Sequence, residues 1–280
     1  MGVFGIFCLT KSICYRLRLK DIFICFIVLV ASSTAAASPW ARADNELFVI
    51  SRADYFKADL GPVNTINGIV DSRFERLMSN TYVEYGLTDN ITIGGKALYG
   101  TSWLTRGRDT ETASGFSEVE AYIQHQAFRS STHAGAVRLA AARPANFSSG
   151  ARPELQSNGV DMDVSALYGR NMITTPVKIF TTTEIGYRKR FGGAADHIRM
   201  DATIGFEPSD RFLVLFDFFS TISMQNENIG GADFDIVKIQ PSLLWRATKR
   251  WAFQAGMTEE VASRNISTGR TYFFGLWSRF

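Results

Sequence analysis

The sequence predicts an all-β chain, a closed antiparallel transmembrane β-barrel of about twelve strands preceded by a cleaved signal peptide. Three observations carry this expectation. Hydrophobicity alternates with a period of two through most of the chain after residue 43. The connections between the alternating stretches are short and long by turns. The one long apolar run lies near the N-terminus, behind a group of basic residues.

That N-terminal region, residues 1–43, reads as a targeting segment. Lys11, Arg16, Arg18 and Lys20 precede the apolar stretch Ile22 to Val30, and small residues follow from Ala31 to Ser38. Ala35-Ala36-Ala37 and Ala41-Arg42-Ala43 both fit the small-x-small cleavage pattern, so cleavage is expected after Ala37 or after Ala43. The apolar stretch is too short for a membrane anchor helix. Cys8, Cys14 and Cys25 all lie inside this segment, so the processed chain would hold no disulfide, thiolate metal site or cysteine nucleophile. The segment also carries five Lys/Arg and one Asp. Taking these from 30 basic and 27 acidic residues leaves 25 and 26. A nearly neutral processed chain has no general affinity for nucleic acid.

The strands are expected at 46–58, 73–87, 91–104, 116–128, 134–145, 161–172, 177–191, 198–207, 212–224, 235–247, 251–264 and 270–280. The clearest alternation runs from Ile198 to Glu207. Ile198, Met200, Ala202, Ile204 and Phe206 share one face, opposite Arg199, Asp201, Thr203, Gly205 and Glu207. Val177 to Arg188, Ile236 to Arg246 and Glu118 to Gln124 repeat the pattern. Every second connection is very short, namely Thr88-Asp89-Asn90, Arg129 to His133, Ile173 to Pro176, Pro208 to Arg211 and Thr248 to Arg250. The others are expected to be loops, including Asp59 to Ser72, Thr105 to Gly115, Asn146 to Val160 and Gln225 to Phe234. Short turns on one rim and longer loops on the other is the arrangement of barrels in the bacterial outer membrane. An even strand count puts both chain ends on the short-turn, periplasmic side.

Aromatic residues gather near strand ends on the apolar face: Tyr85, Tyr99, Trp103, Tyr187, Phe206, Phe212, Trp245, Trp251, Tyr272 and Phe280. Such rings collect at the membrane–water boundary. Closure follows from backbone chemistry, because hydrocarbon offers no partner to free N–H and C=O groups, and only helices and closed barrels avoid leaving them exposed.

The last strand ends the chain on Phe280, with Tyr272, Phe274 and Leu276 on the same face. It resembles the terminal signal read by the outer-membrane barrel assembly machinery, except that Ser278 stands where an apolar residue is usual. The stretch Tyr82-Val83-Glu84-Tyr85-Gly86-Leu87-Thr88-Asp89-Asn90-Ile91-Thr92-Ile93-Gly94-Gly95-Lys96 resembles a strand–turn–strand signature of transporter-like outer-membrane barrels, of the type named for the MetA pathway of phenol degradation. That resemblance covers the hairpin sharply and the rest loosely. It implies a passage for small, aromatic or hydrophobic compounds and brings no catalytic residue.

The polar strand faces supply the candidate solute path. Lys96, Glu118, Glu120, Tyr122, Glu184, Arg188, Arg199, Asp201, Asp217, Lys238 and Arg246 are expected inside, with Arg76, Glu84, Lys178 and Glu260. If Phe191 stands opposite Ile198, Arg188 faces Asp201 as a structural strut. These charges either line a water-filled path that selects small solutes or pair so fully that they seal the lumen. The inward aromatics Phe180, Tyr122, Tyr82 and Phe219 are a track for aromatic solutes or plain packing. A lipid-modifying hydrolase is the enzymatic alternative, but His125 is expected mid-strand on the lipid-facing side, His133 in a periplasmic turn and His197 at an external loop, and a triad needs convergent geometry. A sealed structural or adhesive barrel with its function in the loops is a third class. No phosphate loop, dinucleotide fingerprint or metal-binding histidine pair occurs in the sequence, so no cofactor or metal is expected. The expected partners are outer-membrane lipids, the assembly machinery and a small-molecule solute, with the chain working as a monomer.

Overall fold

The computed structural model describes residues 38–65, 68–144, 159–191, 195–225 and 233–280. They form twelve strands: β1 (Leu47–Thr65), β2 (Gly68–Thr88), β3 (Ile91–Arg106), β4 (Asp109–Arg129), β5 (His133–Pro144), β6 (Asp161–Ile173), β7 (Lys178–Arg190), β8 (His197–Ser209), β9 (Phe212–Ser223), β10 (Asp235–Arg246), β11 (Trp251–Arg264) and β12 (Arg270–Arg279). Each strand pairs with its sequence neighbours, and β1 pairs antiparallel with β12, so the sheet closes into a barrel. Among the described residues no helix is long and apolar enough to cross a membrane.

The faces are those the alternation predicts. On β7, Phe180, Thr182, Glu184, Gly186, Arg188 and Arg190 are buried, while Thr183, Ile185, Tyr187 and Lys189 are exposed. On β6, Asp161, Asp163, Ser165 and Leu167 point inward, and Met162, Val164 and Tyr168 point outward. The outer surface is a belt of exposed aliphatic and aromatic side chains, including Val119, Ile123, Leu139, Val164, Ile185, Ile204, Phe216, Leu243 and Phe274. Aromatic rings edge this belt on both sides. Tyr168, Phe206, Phe212, Trp245, Trp251 and Phe280 lie toward the short turns, and Tyr55, Tyr99, Tyr187 and Tyr272 toward the other rim. Tyr85 and Trp103 stand at the same two levels, half-buried. This is the outside of a lipid-embedded barrel.

Three of the five short turns share a chemical device. A hydroxyl at the turn's start accepts the backbone N–H groups two and three residues on. Thr88 Oγ1 does so for Asn90 and Ile91 at 3.3 and 3.1 Å. Ser130 Oγ does it for Thr132 and His133 at 3.3 and 3.0 Å, and Thr248 Oγ1 for Arg250 and Trp251 at 3.1 and 3.0 Å. The side chain thereby mimics a backbone turn.

Two expected loops are strands instead. Asp59 to Ser72 is the top of the β1–β2 hairpin, whose pairing runs on to Thr65 and Gly68. Thr105 to Gly115 is the top of β3–β4, paired as far as Arg106 and Asp109. A register shift between Asp59 and Gly61, with Gly61 at φ 77°, absorbs the extra residue in β1. Most of each of the expected loops Asn146 to Val160 and Gln225 to Phe234 lies outside the described residues.

Candidate functional site

The interior is built from the polar strand faces, and its two halves differ. Strands β3, β4, β6, β7 and β8 carry a continuous ion-pair network. Lys96 Nζ lies 2.7 Å from Glu118 Oε1 and 3.8 Å from Glu120 Oε2. Arg188 reaches Glu118, Glu120 and Asp163 at 3.5, 2.8 and 3.3 Å. Arg199 links Asp163 at 3.5 Å to Asp201 at 3.6 Å. Arg138 on β5 pairs with Glu184 at 3.2 Å. The facing wall, β9 to β12, is mostly neutral. Gln240 donates to Asp217 Oδ2 at 2.9 Å and accepts from Thr258 at 2.9 Å. Gln254 donates to Ser242 Oγ at 2.9 Å and accepts the Trp277 indole N–H at 3.0 Å.

Between these walls lies a cavity of about 250 Å³. Lys96, Glu120, Arg138, Glu184, Arg199 and Asp201 bound it on the charged side. Arg52, Asp217, Gln240 and Gln254 bound it on the other, and Ile50, Tyr82, Leu215, Phe219 and Trp277 supply apolar surface. Four cationic and four acidic side chains line it, so their formal charges balance.

One side of the short-turn end of the lumen is filled by apolar side chains. Phe48, Ile50, Phe180, Leu213, Leu215, Leu244, Ala252 and Trp277 form one buried cluster, and Tyr82 packs against it. These residues come from the short-turn ends of β1, β7, β9, β10, β11 and β12. Phe180 lies over Gly205, where an added Cβ would come 1.9 Å from the ring. The glycine gives the phenyl its place.

The candidates read from the sequence fall out as follows. Lys96, Glu120, Glu184, Arg199, Asp201 and Asp217 line the cavity together. Glu118 and Arg188 stand behind them in the ion-pair network. Tyr122 is buried. Its hydroxyl and that of Tyr82 are 2.5 Å apart and lie 2.7 and 2.5 Å from Glu84 Oε1. Lys238 pairs with Glu260 at 2.9 Å, and Arg246 with Glu207 at 3.3 Å, so both face inward away from the cavity. The expected Arg188–Asp201 strut is not formed. The β7–β8 register sets Glu184 opposite Asp201 and His197 opposite Arg188, which sends Arg188 to β4 and β6 for its partners. Of the expected aromatic track, Phe219 and Tyr82 reach the cavity and Phe180 belongs to the apolar floor. Tyr272, Phe274 and Phe280 are exposed on one face of β12, with Leu276 half-buried beside them.

Sequence reading missed Arg52, Asp54, Arg138, Asp161, Asp163 and Arg190. Their signal was the same alternation. Asp161-Met162-Asp163-Val164-Ser165-Ala166 alternates strictly, and Arg138 stands between Val137 and Leu139, both exposed.

A sheet closed on itself, apolar outside and charged inside, with the start of β1 and the end of β12 on the short-turn rim, defines an outer-membrane β-barrel. Among solved structures, the chain is similar to the COG4313 outer membrane channel from Pseudomonas putida F1, with a TM-score of 0.64 and 11% identity over 89% of this chain and 100% of that one. It is also similar to the transport unit of the autotransporter AIDA-I from Escherichia coli, with a TM-score of 0.51 and 9% identity over 90% and 94% of the two chains. At these identities the likeness is one of fold. That fold is the closed barrel that the β2–β3 hairpin resemblance implies. No family model and no curated protein matches the sequence.

Proposed function

We propose that this chain is a passive passage for small solutes across the outer membrane, working as a monomer in outer-membrane lipid. The observation that carries this reading is the cavity between a charged and a neutral wall. A lumen meant only as a strut would bring its charges together across the axis, whereas here a space of about 250 Å³ is kept open. That volume lies just below the roughly 300–1,000 Å³ of pockets that hold drug-sized ligands. It suits a smaller compound. Tyr82, Phe219 and Trp277 give such a compound an aromatic surface, in keeping with the small aromatic or hydrophobic solutes that the hairpin resemblance implies. Lys96, Glu118, Glu120, Glu184, Arg188, Arg199, Asp201 and Asp217 set the polar side of the path.

The apolar floor favours one other reading, a sealed structural barrel. Planar-bilayer recording of the refolded protein separates the two. Discrete conductance steps, altered by the Glu118→Ala and Glu120→Ala pair, are expected of the passage; a bilayer that stays silent after residues 38–43 are removed from the short-turn mouth points to the sealed barrel. The hydrolase reading draws no support from the histidines. His125 is exposed on the outer face of β4, the ring of His133 lies 2.6 Å from the Tyr168 hydroxyl at the short-turn rim, and His197 begins β8 at the opposite rim.

A further inference from the structure

The short-turn mouth of the barrel is filled from two sources. The apolar cluster fills the side formed by β1, β7 and β9 to β12. On the side formed by β2 to β6 the inward residues at this level are mostly small or polar, Leu167 excepted: Glu84, Gly86, Thr92, Gln124, Gln126, Ala134, Ala136 and Gly169. What occupies that side is the chain's own segment before β1. Ser38 and Arg42 are each only 3% exposed, and Pro39 is fully buried.

The wall is fitted to this segment atom by atom. Gln124 Nε2 donates to the Ser38 carbonyl at 2.8 Å, and Gln126 Nε2 to the Pro39 carbonyl at 3.0 Å. The Arg42 backbone N–H donates to Thr92 Oγ1 at 2.9 Å. Its guanidinium forms an ion pair with Glu84 and lies 3.9 Å over the Phe48 ring. Two glycines leave the necessary room. A Cβ on Gly86 would stand 1.9 Å from the Ala43 carbonyl oxygen, and one on Gly169 would stand 2.4 Å from the Trp40 indole.

We infer that residues 38–43 are a built-in plug of the periplasmic mouth, kept in the processed protein because cleavage takes place after Ala37 and not after Ala43. Cleavage after Ala43 would remove Arg42 and leave the buried Glu84 carboxylate without its cation, which is a costly state. It would also leave Gly86, Gly169 and two glutamine side chains facing an empty half-mouth. The plug is joined to the cavity by two chains of contacts. One runs from Arg42 through Glu84 to Tyr82. The other runs from Ser38 through Gln124 to Arg138, whose Nη2 donates to Gln124 Oε1 at 2.8 Å. Both Tyr82 and Arg138 line the cavity, so a solute there touches residues that hold the plug. Its role as a gate rests on the passage reading above; its seat and the cleavage position do not.

The test has two arms that do not depend on conduction. N-terminal sequencing of protein purified from outer membranes is expected to begin at Ser38, and a start at Asp44 overturns the inference. With all three cysteines before residue 38, Pro39→Cys introduces a single thiol. In the folded protein it is expected to react with a water-soluble maleimide at least about tenfold more slowly than Lys249→Cys on an exposed turn, because labelling must wait for the segment to leave its seat. Adding Arg42→Ala is expected to speed the Pro39→Cys reaction by about tenfold or more, the loss of one charged hydrogen-bonded contact. Gly169→Leu, which takes the place of Trp40, gives a second release variant, and heat-modifiable gel migration shows that each variant is folded. Equal labelling of Pro39→Cys and Lys249→Cys overturns the plug. Protection unchanged by both release variants overturns the seat as assigned. Slow labelling and release, with a bilayer silent both before and after removal of residues 38–43, keeps the plug and rejects the passage.

Discussion

At the scale of single residues, the interior depends on charges that hold one another. Arg188 is 5% exposed and shared among Glu118, Glu120 and Asp163. Losing one partner of a buried ion pair costs far more than the pair contributes, because the remaining charge stays desolvated. Arg188→Met should therefore destabilise the folded barrel by about 3–5 kcal/mol. Urea unfolding in detergent micelles, followed by tryptophan fluorescence, measures this; a change within 1 kcal/mol, on the scale of an exposed pair, would show that water reaches the network freely. The sequence revealed that these side chains face inward, since alternation assigns a face. It did not reveal who pairs with whom, because partners are set by register and by the slant of strands around the barrel. The expected Arg188–Asp201 strut failed for that reason. A different offset between β7 and β8 puts His197 opposite Arg188.

At the scale of elements, the strands were legible wherever one face meets lipid and the other the lumen. All twelve were found, with boundaries close to those expected between β5 and β12. Legibility ended at the β1–β2 and β3–β4 tips. There the hairpins run on past the apolar belt, both faces can be polar and the alternation vanishes. A run such as Thr105-Arg106-Gly107-Arg108-Asp109-Thr110 then reads as a loop. The belt itself is testable. Ile204 is 54% exposed on β8 and lies between Thr181 and Phe216 in the apolar zone. Ile204→Arg should cost about 2–4 kcal/mol in micelle or bilayer refolding, as a cation does near the midplane. Arg at the rim position Tyr187 should cost distinctly less, and equal costs at both sites would mean the face is not graded by depth. The β7–β8 connection offers a pH test. Asp196 accepts the Arg190 backbone N–H at 2.9 Å, the Tyr187 hydroxyl and Lys189 Nζ at 2.9 Å. These contacts, the backbone one foremost, hold its pKa down to about 2, below the ordinary 3.8. A carboxylate depressed on folding stabilises the fold above its ordinary pKa, and that contribution fades as pH falls through the folded value. The stability advantage of wild type over Asp196→Asn should be level above pH 4 and shrink toward pH 2. An advantage that grows on acidification has the wrong sign for this account.

At the scale of the whole molecule, one closed sheet does two jobs. Its outside must be solvated by hydrocarbon, and its inside must satisfy a high density of charge within a narrow space. The first was readable from composition and period. The division of the inside into a charged wall, a neutral wall and an apolar floor was not, because it depends on which strands become neighbours across the lumen. The role of residues 38–43 was hidden too, since a small-residue stretch behind an export signal reads as something to discard. The outside carries the physical claim on which the rest stands. Soluble monomers rarely expose contiguous apolar patches beyond a few hundred Å², yet here Val119, Ile123, Leu139, Val164, Ile185, Ile204, Phe216, Leu243 and Phe274 form a belt open to the surroundings. The purified barrel should keep its β-sheet circular dichroism and its heat-modifiable migration only while micelle or bilayer covers that belt. Dilution into detergent-free buffer should precipitate it or convert it to aggregates. A folded, monodisperse species in plain buffer would mean that another protein surface covers these residues, and the lumen would then have no membrane to cross.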